Sequence, residues 1–143
     1  MQPIDLIAPV FAQVLLTFYL LVRAARARVT AVRRGEVKIA DVALGQNAWP
    51  GPVTQLSRAY TNQLELPMLF YVLVAFVLIT SRADSVLLVL SWLFVVSRLW
   101  HARVHTTHNN MRRRFTAFVV GVGILAAMWV YFGASLLIAR FSA

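Results

Sequence analysis

Six polar side chains lie in stretches that are otherwise apolar enough to cross a bilayer: Arg58, Asn62 and Glu65 in one, and Arg98, His101 and His105 in another. An α-helix turns about 100° and rises ~1.5 Å per residue, so positions i, i+4 and i+7 fall within about 60° of one another over ~10 Å of axis. Positions i, i+3 and i+7 obey the same geometry, and each triplet therefore forms one polar stripe on one helix face. A guanidinium grips carboxylates, a carboxylate accepts an ammonium, and imidazole can move a proton near neutrality. A charged side chain inside a span costs about 2.5 kcal/mol or more. The stripes are thus expected to face each other, a subunit interface or a water-filled cavity. The plainer alternative is that Glu65 pairs with Arg58 along its own helix, the histidines hydrogen-bond across the bundle, and Arg98 and Arg103 reach toward headgroups. For one residue that alternative is as good; for six convergent ones it is weaker, because an inert bundle packs more cheaply with apolar side chains.

A third polar group, Arg112, Arg113 and Arg114, follows closely after His108. His101, His105 and His108, with Glu65, also suggest metal ligands, since histidines four apart share a helical face. Against this, His108 falls past the expected helix end beside three arginines, whose charge disfavours a cation. The chain has no cysteine, so any thiol chemistry must use a bound thiol.

The elements that must position these residues follow from composition. The 143 residues are 60% hydrophobic and 13% charged, with a mean hydropathy of +0.72, well above the apolar share of soluble domains. A hydrocarbon core of ~30 Å takes about 20 helical residues to cross, which leaves room for four spans and no soluble domain. The expected fold is one all-α domain, a four-helix up-down membrane bundle with helices near 4–24, 57–80, 85–105 and 114–139. The start of the chain lacks the basic flank and small-residue cleavage site of a secretory signal, so the first span is expected to be retained.

Counted by apolar residues alone, the second and third spans are too short. The run from Leu66 to Thr80 must extend back through Glu65, Asn62 and Arg58, and the run ending at Ser97 must extend forward through Arg98, His101 and His105. Both polar halves then lie toward one membrane face. Between Ala40 and Ser57 the periodicity fails and Gly45, Asn47, Pro50, Gly51 and Pro52 accumulate, predicting a connecting loop with Trp49 at the interface. Residues 81–85 predict a tight turn, and 106–114 a second basic loop.

The net charge of +9 does not call for nucleic acid, because the cations flank the spans as the positive-inside rule requires. Arg23, Arg26, Arg28, Arg33, Arg34, Lys38, Arg58 and the 112–114 cluster border the first and third connections, while Arg82 and Arg140 lie on the other side. Both basic loops are therefore expected in the cytoplasm and both termini opposite. Ala117, Gly121, Gly123, Ala126 and Ala127 predict close helix packing.

The stretch Arg58-Ala-Tyr-Thr-Asn62-Gln-Leu-Glu65-Leu-Pro67-Met-Leu-Phe70-Tyr, with Ser97-Arg98-Leu-Trp-His101 and Arg112-Arg-Arg114, resembles the MAPEG family, the membrane-associated proteins of eicosanoid and glutathione metabolism, and within it the microsomal glutathione transferases. The resemblance spans essentially the whole chain, most specifically in R-x3-N-x2-E-x-P. It implies a homotrimer holding glutathione between subunits at the cytoplasmic side, with a lipophilic electrophile or peroxide arriving from the membrane lipids. By matching positions it implies that Arg58, Asn62 and Glu65 bind the charged ends of glutathione, that Arg98 is the motif arginine of the third span, and that Arg112 stabilises the thiolate, with Arg113 or Arg114 as alternatives. His101 and His105 stand where the leukotriene synthase branch has tyrosines, a departure that argues against eicosanoid specificity. A non-catalytic scaffold or lipid-binding protein with the same fold remains the competing reading.

Overall fold

Long apolar runs broken only by short turns give a chain of helices and little else. The computed structural model describes residues 2–43 and 48–141. A single 3-10 turn, Pro3–Leu6, leads into α1 (Ile7–Arg33); a short α2 (Ile39–Ala43) follows, then α3 (Gly51–Ile79), α4 (Ser85–Thr106) and α5 (Met111–Phe141). Four stretches, Ile4–Arg33, Gly51–Ile79, Ser85–Thr106 and Met111–Phe141, are long and apolar enough to cross a membrane. The second and third include the whole of both polar stripes, which supplies the length that the apolar runs lacked.

Helix α1 continues through the arginines to Arg33 instead of ending near 24. Ala24-Ala-Arg-Ala-Arg28 is a run of the strongest helix formers, so the positive charge flanks the span without breaking the helix. The stop comes at Gly35, whose φ of +70° lets its N–H reach Val32 O while Glu36 N–H reaches Ala31 O, each at 3.0 Å. That pairing caps the last carbonyls. The loop expected between Ala40 and Ser57 is likewise shorter than expected. Pro50 takes the N-cap position of α3 and Pro52 lies in its first turn, where a missing N–H costs nothing. Trp49 lies under the Arg28 guanidinium, 5.5 Å from its ring centre. Gly45 and Asn47 fall outside the described residues.

Helix α1 packs along α3 and α4 along α5, while α3 and α4 also touch each other across the middle. In lipid the cohesion comes from dispersion and close fit more than from expulsion of water. The main core, Phe70, Leu73, Val77, Leu87, Phe94, Leu125, Met128 and Phe132, fills the half of the bundle nearest the 80–84 turn, with the Phe70 and Phe94 rings stacked 4.8 Å apart. Asp84 caps α4 by accepting from Leu87 N–H at 2.8 Å and also accepts from Tyr131 Oη at 2.7 Å. Phe11, Leu15, Val89, Val96, Val119 and Val130 are exposed and give the bundle a lipid-compatible exterior.

Candidate functional site

The other half of the bundle is built differently. Helix α4 buries its entire polar stripe: Arg98, His101 and His105 are 0%, 3% and 1% exposed. Asn62 on α3 is half-buried beside them, whereas Arg58 and Glu65 are exposed on the same helix. Arg98 Nη2 donates to the Asn62 backbone carbonyl at 3.2 Å. Pro67 lies inside α3 and cannot donate to the Gln63 carbonyl, while its ring crowds that turn. The helix is thus locally weakened where the buried arginine docks. Gly121 allows α5 to approach: a Cβ there would meet Ser97 Oγ at 3.0 Å and Arg98 Cδ at 3.8 Å.

This end leaves buried polar atoms without partners. Arg98 Nε and Nη1, His101 Nδ1 and both ring nitrogens of His105 make no hydrogen bond. The two imidazoles lie edge to face, 5.7 Å between centroids, and His101 also lies 6.1 Å from the Phe118 ring. Buried polar groups are nearly always satisfied, and orphans clustered in one place need an explanation such as a ligand or water. The hydrogen bonds across the bundle that would make these histidines purely structural are not present among the described residues.

Two cavities open onto the orphaned histidines. One of about 230 Å³ is lined by Asn62, His101, Met111, Arg114, Phe115 and Phe118. The second, about 470 Å³, includes Gln55, Arg58, His105, Asn109 and Arg114 in its walls. Arg114 is common to both. Its Nη1 donates to Asn109 Oδ1 at 2.8 Å and its Nη2 lies 3.2 Å from Met111 Sδ, so the guanidinium is held at the mouth of the site. Arg112 and Arg113 are exposed and border neither cavity.

Helical phase explains that choice among three arginines. Asn110 caps α5, accepting from Arg113 N–H at 3.1 Å, and the buried face of the helix is Ala117, Gly121, Leu125, Met128 and Phe132. At about 100° per residue, Arg114 lies within about 20° of the middle of that face, Arg113 about 80° away and Arg112 nearly opposite. Of the five small residues expected to pack closely, Ala117 and Gly121 lie on this face, whereas Gly123, Ala126 and Ala127 are exposed, so the small-residue pattern alone does not carry the phase.

The expected stripes therefore converge in part. Asn62, Arg98 and His101 meet, and Arg58 and His105 share a cavity. Glu65 and Arg58 do not pair: among the described residues the one ion pair is Arg34–Glu36 at 3.9 Å. His108 lies beyond the end of α4 and is exposed, and no three His, Asp or Glu side chains among the described residues cluster closely enough for a metal. The three-histidine alternative thus loses its geometry.

Other polar contacts were not anticipated. Gln13 Nε2 donates to Gln63 Oε1 at 3.0 Å, both residues buried, tying α1 to α3. Gln55 Nε2 donates to the His105 carbonyl at 2.7 Å, and thereby secures the end of the α4 stripe. Gln13 on α1 and Gln55 and Gln63 on α3 carry no local signal of which groups on other spans they meet.

A family model described as the MAPEG family matches residues 6–134 of the chain. No curated protein and no solved structure matches it.

Proposed function

The chain belongs to the MAPEG family and is an integral multi-pass membrane protein; from that premise we propose that it is a glutathione-dependent transferase or peroxidase acting on lipophilic electrophiles. The observation that carries the reading is the group of unpartnered buried ring nitrogens on His101 and His105, which line cavities bordered by Arg114 and Arg58, with the unpartnered Arg98 Nε and Nη1 one turn away on α4. Glutathione presents two carboxylates, one ammonium and amides, and such a ligand suits a cationic site with amide and imidazole partners. Arg58 and Asn62 bind its backbone and charged ends, with Glu65 taking the ammonium. Glu65 and Arg58 are exposed in the isolated subunit, which favours the family's arrangement: a homotrimer with the ligand between subunits. The basic loops then lie in the cytoplasm.

Among the three candidate arginines, Arg114 is the best suited to stabilise the thiolate, because it borders both cavities and is held by Asn109; Arg112 and Arg113 are the alternatives. A nearby guanidinium lowers a thiol's pKa, and the lost proton passes to water. The sulfur then attacks an electrophilic carbon and the leaving group departs with the bonding pair. With a hydroperoxide, sulfur takes the terminal oxygen, the alkoxide leaves and is protonated, and a second glutathione converts the sulfenic acid to disulfide and water. The residues contribute thiolate stabilisation and the holding of both reactants at the interface.

Isothermal titration of the detergent-solubilised protein with glutathione tests the reading. Binding is expected, with Arg58→Ala weakening it; no heat at millimolar glutathione overturns the proposal. Binding without turnover of a generic electrophile would favour the scaffold reading instead.

A further inference from the structure

A second groove lies on the far side of α4 from the proposed glutathione site. Its volume is about 520 Å³, and it runs between α1 and α4. Along α1 its wall is Leu16, Tyr19, Leu20 and Arg23, at i, i+3, i+4 and i+7; along α4 it is Val96, Leu99, Trp100 and Arg103, with the same spacing. These α4 positions lie nearly opposite the Arg98–His105 stripe, about 180° round the helix. The two surfaces therefore share a helix but not a side chain.

Both walls change character in the same direction. Leu16, Leu20 and Ala102 form a buried cluster of their own at the floor, which makes the groove a fixed feature of the packing. Tyr19 and Trp100 come next, half-exposed at 56% and 42%, the aromatic types that settle at the headgroup level of a bilayer. Arg23 and Arg103 lie at the level of the basic loops. The Arg23 guanidinium is held over the Tyr19 ring, 5.7 Å from its centre, and its Nη1 lies 3.4 Å from Tyr19 Oη. No acidic side chain borders the groove, and neither arginine has an ion-pair partner among the described residues.

We propose that this groove binds an anionic phospholipid, the phosphate between Arg23 and Arg103 and the upper part of one acyl chain along Leu16, Val96 and Leu99. Two guanidiniums with no carboxylate match a head of net negative charge; a choline or ethanolamine head would bring a cation to a site that offers it nothing. A second copy of the chain is a poor occupant at this level. It would bring more arginines against Arg23 and Arg103, from a chain with 14 Lys and Arg against 5 Asp and Glu.

Native mass spectrometry of the detergent-solubilised oligomer tests this with phosphatidylglycerol, phosphatidylcholine or inorganic phosphate added at equal concentration. Phosphatidylglycerol adducts are expected to survive about tenfold better than phosphatidylcholine adducts. Arg23→Ala with Arg103→Ala should remove the preference, and Arg23→Lys with Arg103→Lys should retain most of it. Glutathione binding should be unchanged in the alanine pair, so failure here is separable from failure of the proposed activity. Equal retention of both lipids, or loss of the phosphatidylglycerol adduct to millimolar inorganic phosphate, would overturn the proposal. So would adducts on the monomer that vanish on the oligomer, since a neighbouring subunit would then cover the groove.

Discussion

At the end of the bundle near residues 80–84, Phe70 stacks on Phe94, Leu125, Met128 and Phe132 close the gap behind them, and Asp84 both caps α4 and receives Tyr131. At the basic end, the same helices enclose Arg98, His101 and His105 with several of their polar atoms unpartnered, around cavities of about 230 and 470 Å³. The first end leaves no buried side-chain polar atom unpartnered among the described residues and fills the core between its helices; the second does neither. Stability is therefore concentrated at one end, and the capacity to gain from a ligand at the other.

The largest expected effect lies at the packed end. Phe94→Ala removes one ring of a fully buried stacked pair and should cost about 3 kcal/mol, through lost contacts and the cavity left behind. Thermal unfolding in detergent measures it. Glutathione affinity of the folded fraction should barely change, and an equal loss of affinity and stability would break the separation of the two ends.

At the open end the order reverses. Arg114→Ala should lower turnover about a hundredfold, near 2.7 kcal/mol of transition-state stabilisation, while the unfolding temperature stays close to that of the parent protein. Arg112→Ala and Arg113→Ala should stay within about threefold, since both point away from the buried face of α5. Ultraviolet thiolate absorbance of bound glutathione reads the effect directly. A loss confined to Arg112→Ala would move the activating role to a face that a neighbouring subunit must cover.

Gly121 joins the two halves, and its effect should be smaller. A Cβ would stand 3.0 Å from Ser97 Oγ, which already donates to the Phe94 carbonyl at 2.6 Å. Gly121→Ala should cost about 1 kcal/mol by overpacking and raise the Michaelis constant for glutathione a few-fold by shifting Arg98. Gly123→Ala, where no atom lies within 4 Å, should do neither. Equal effects at the two glycines would mean that α5 approaches α4 less closely than the structure has it.

The same division separates what was legible in the sequence from what was not. Spans and polar stripes were legible because lipid imposes a strict rule on length and on charge, so that Arg58, Asn62, Arg98 and the histidines had to share helix faces. The end of α1 was not legible from charge, because the arginines flank the span without ending the helix. Gly35 carried the stop signal, and Ala24 to Arg28 carried the helix propensity. The Gln13–Gln63 pair was out of reach, since nothing local links positions on separate spans. Arg114 was out of reach as well, because the small residues of α5 are spread around the helix and Gly123, Ala126 and Ala127 lie on its exposed faces.

The two turns that close the ends put the comparison to its finest test. Ser81 and Asn109 both have left-handed backbones, with φ of 54° and 46°. At Ser81 that conformation costs a side-chain-bearing residue roughly 1 kcal/mol or more, and no hydrogen bond of its hydroxyl offsets it among the described residues. Ser81→Gly removes the strain but frees the unfolded chain by about 0.4–1 kcal/mol, leaving a net gain near 0.5 kcal/mol and no change in ligand affinity. Asn109 tolerates the same region better, and its side chain accepts from Arg114 Nη1 at 2.8 Å. Asn109→Gly should therefore gain little stability and weaken glutathione binding about threefold, because the guanidinium loses its anchor. If it instead raises the unfolding temperature and leaves affinity intact, Asn109 is only a turn residue, and the basic end is no more committed to a ligand than the turn opposite.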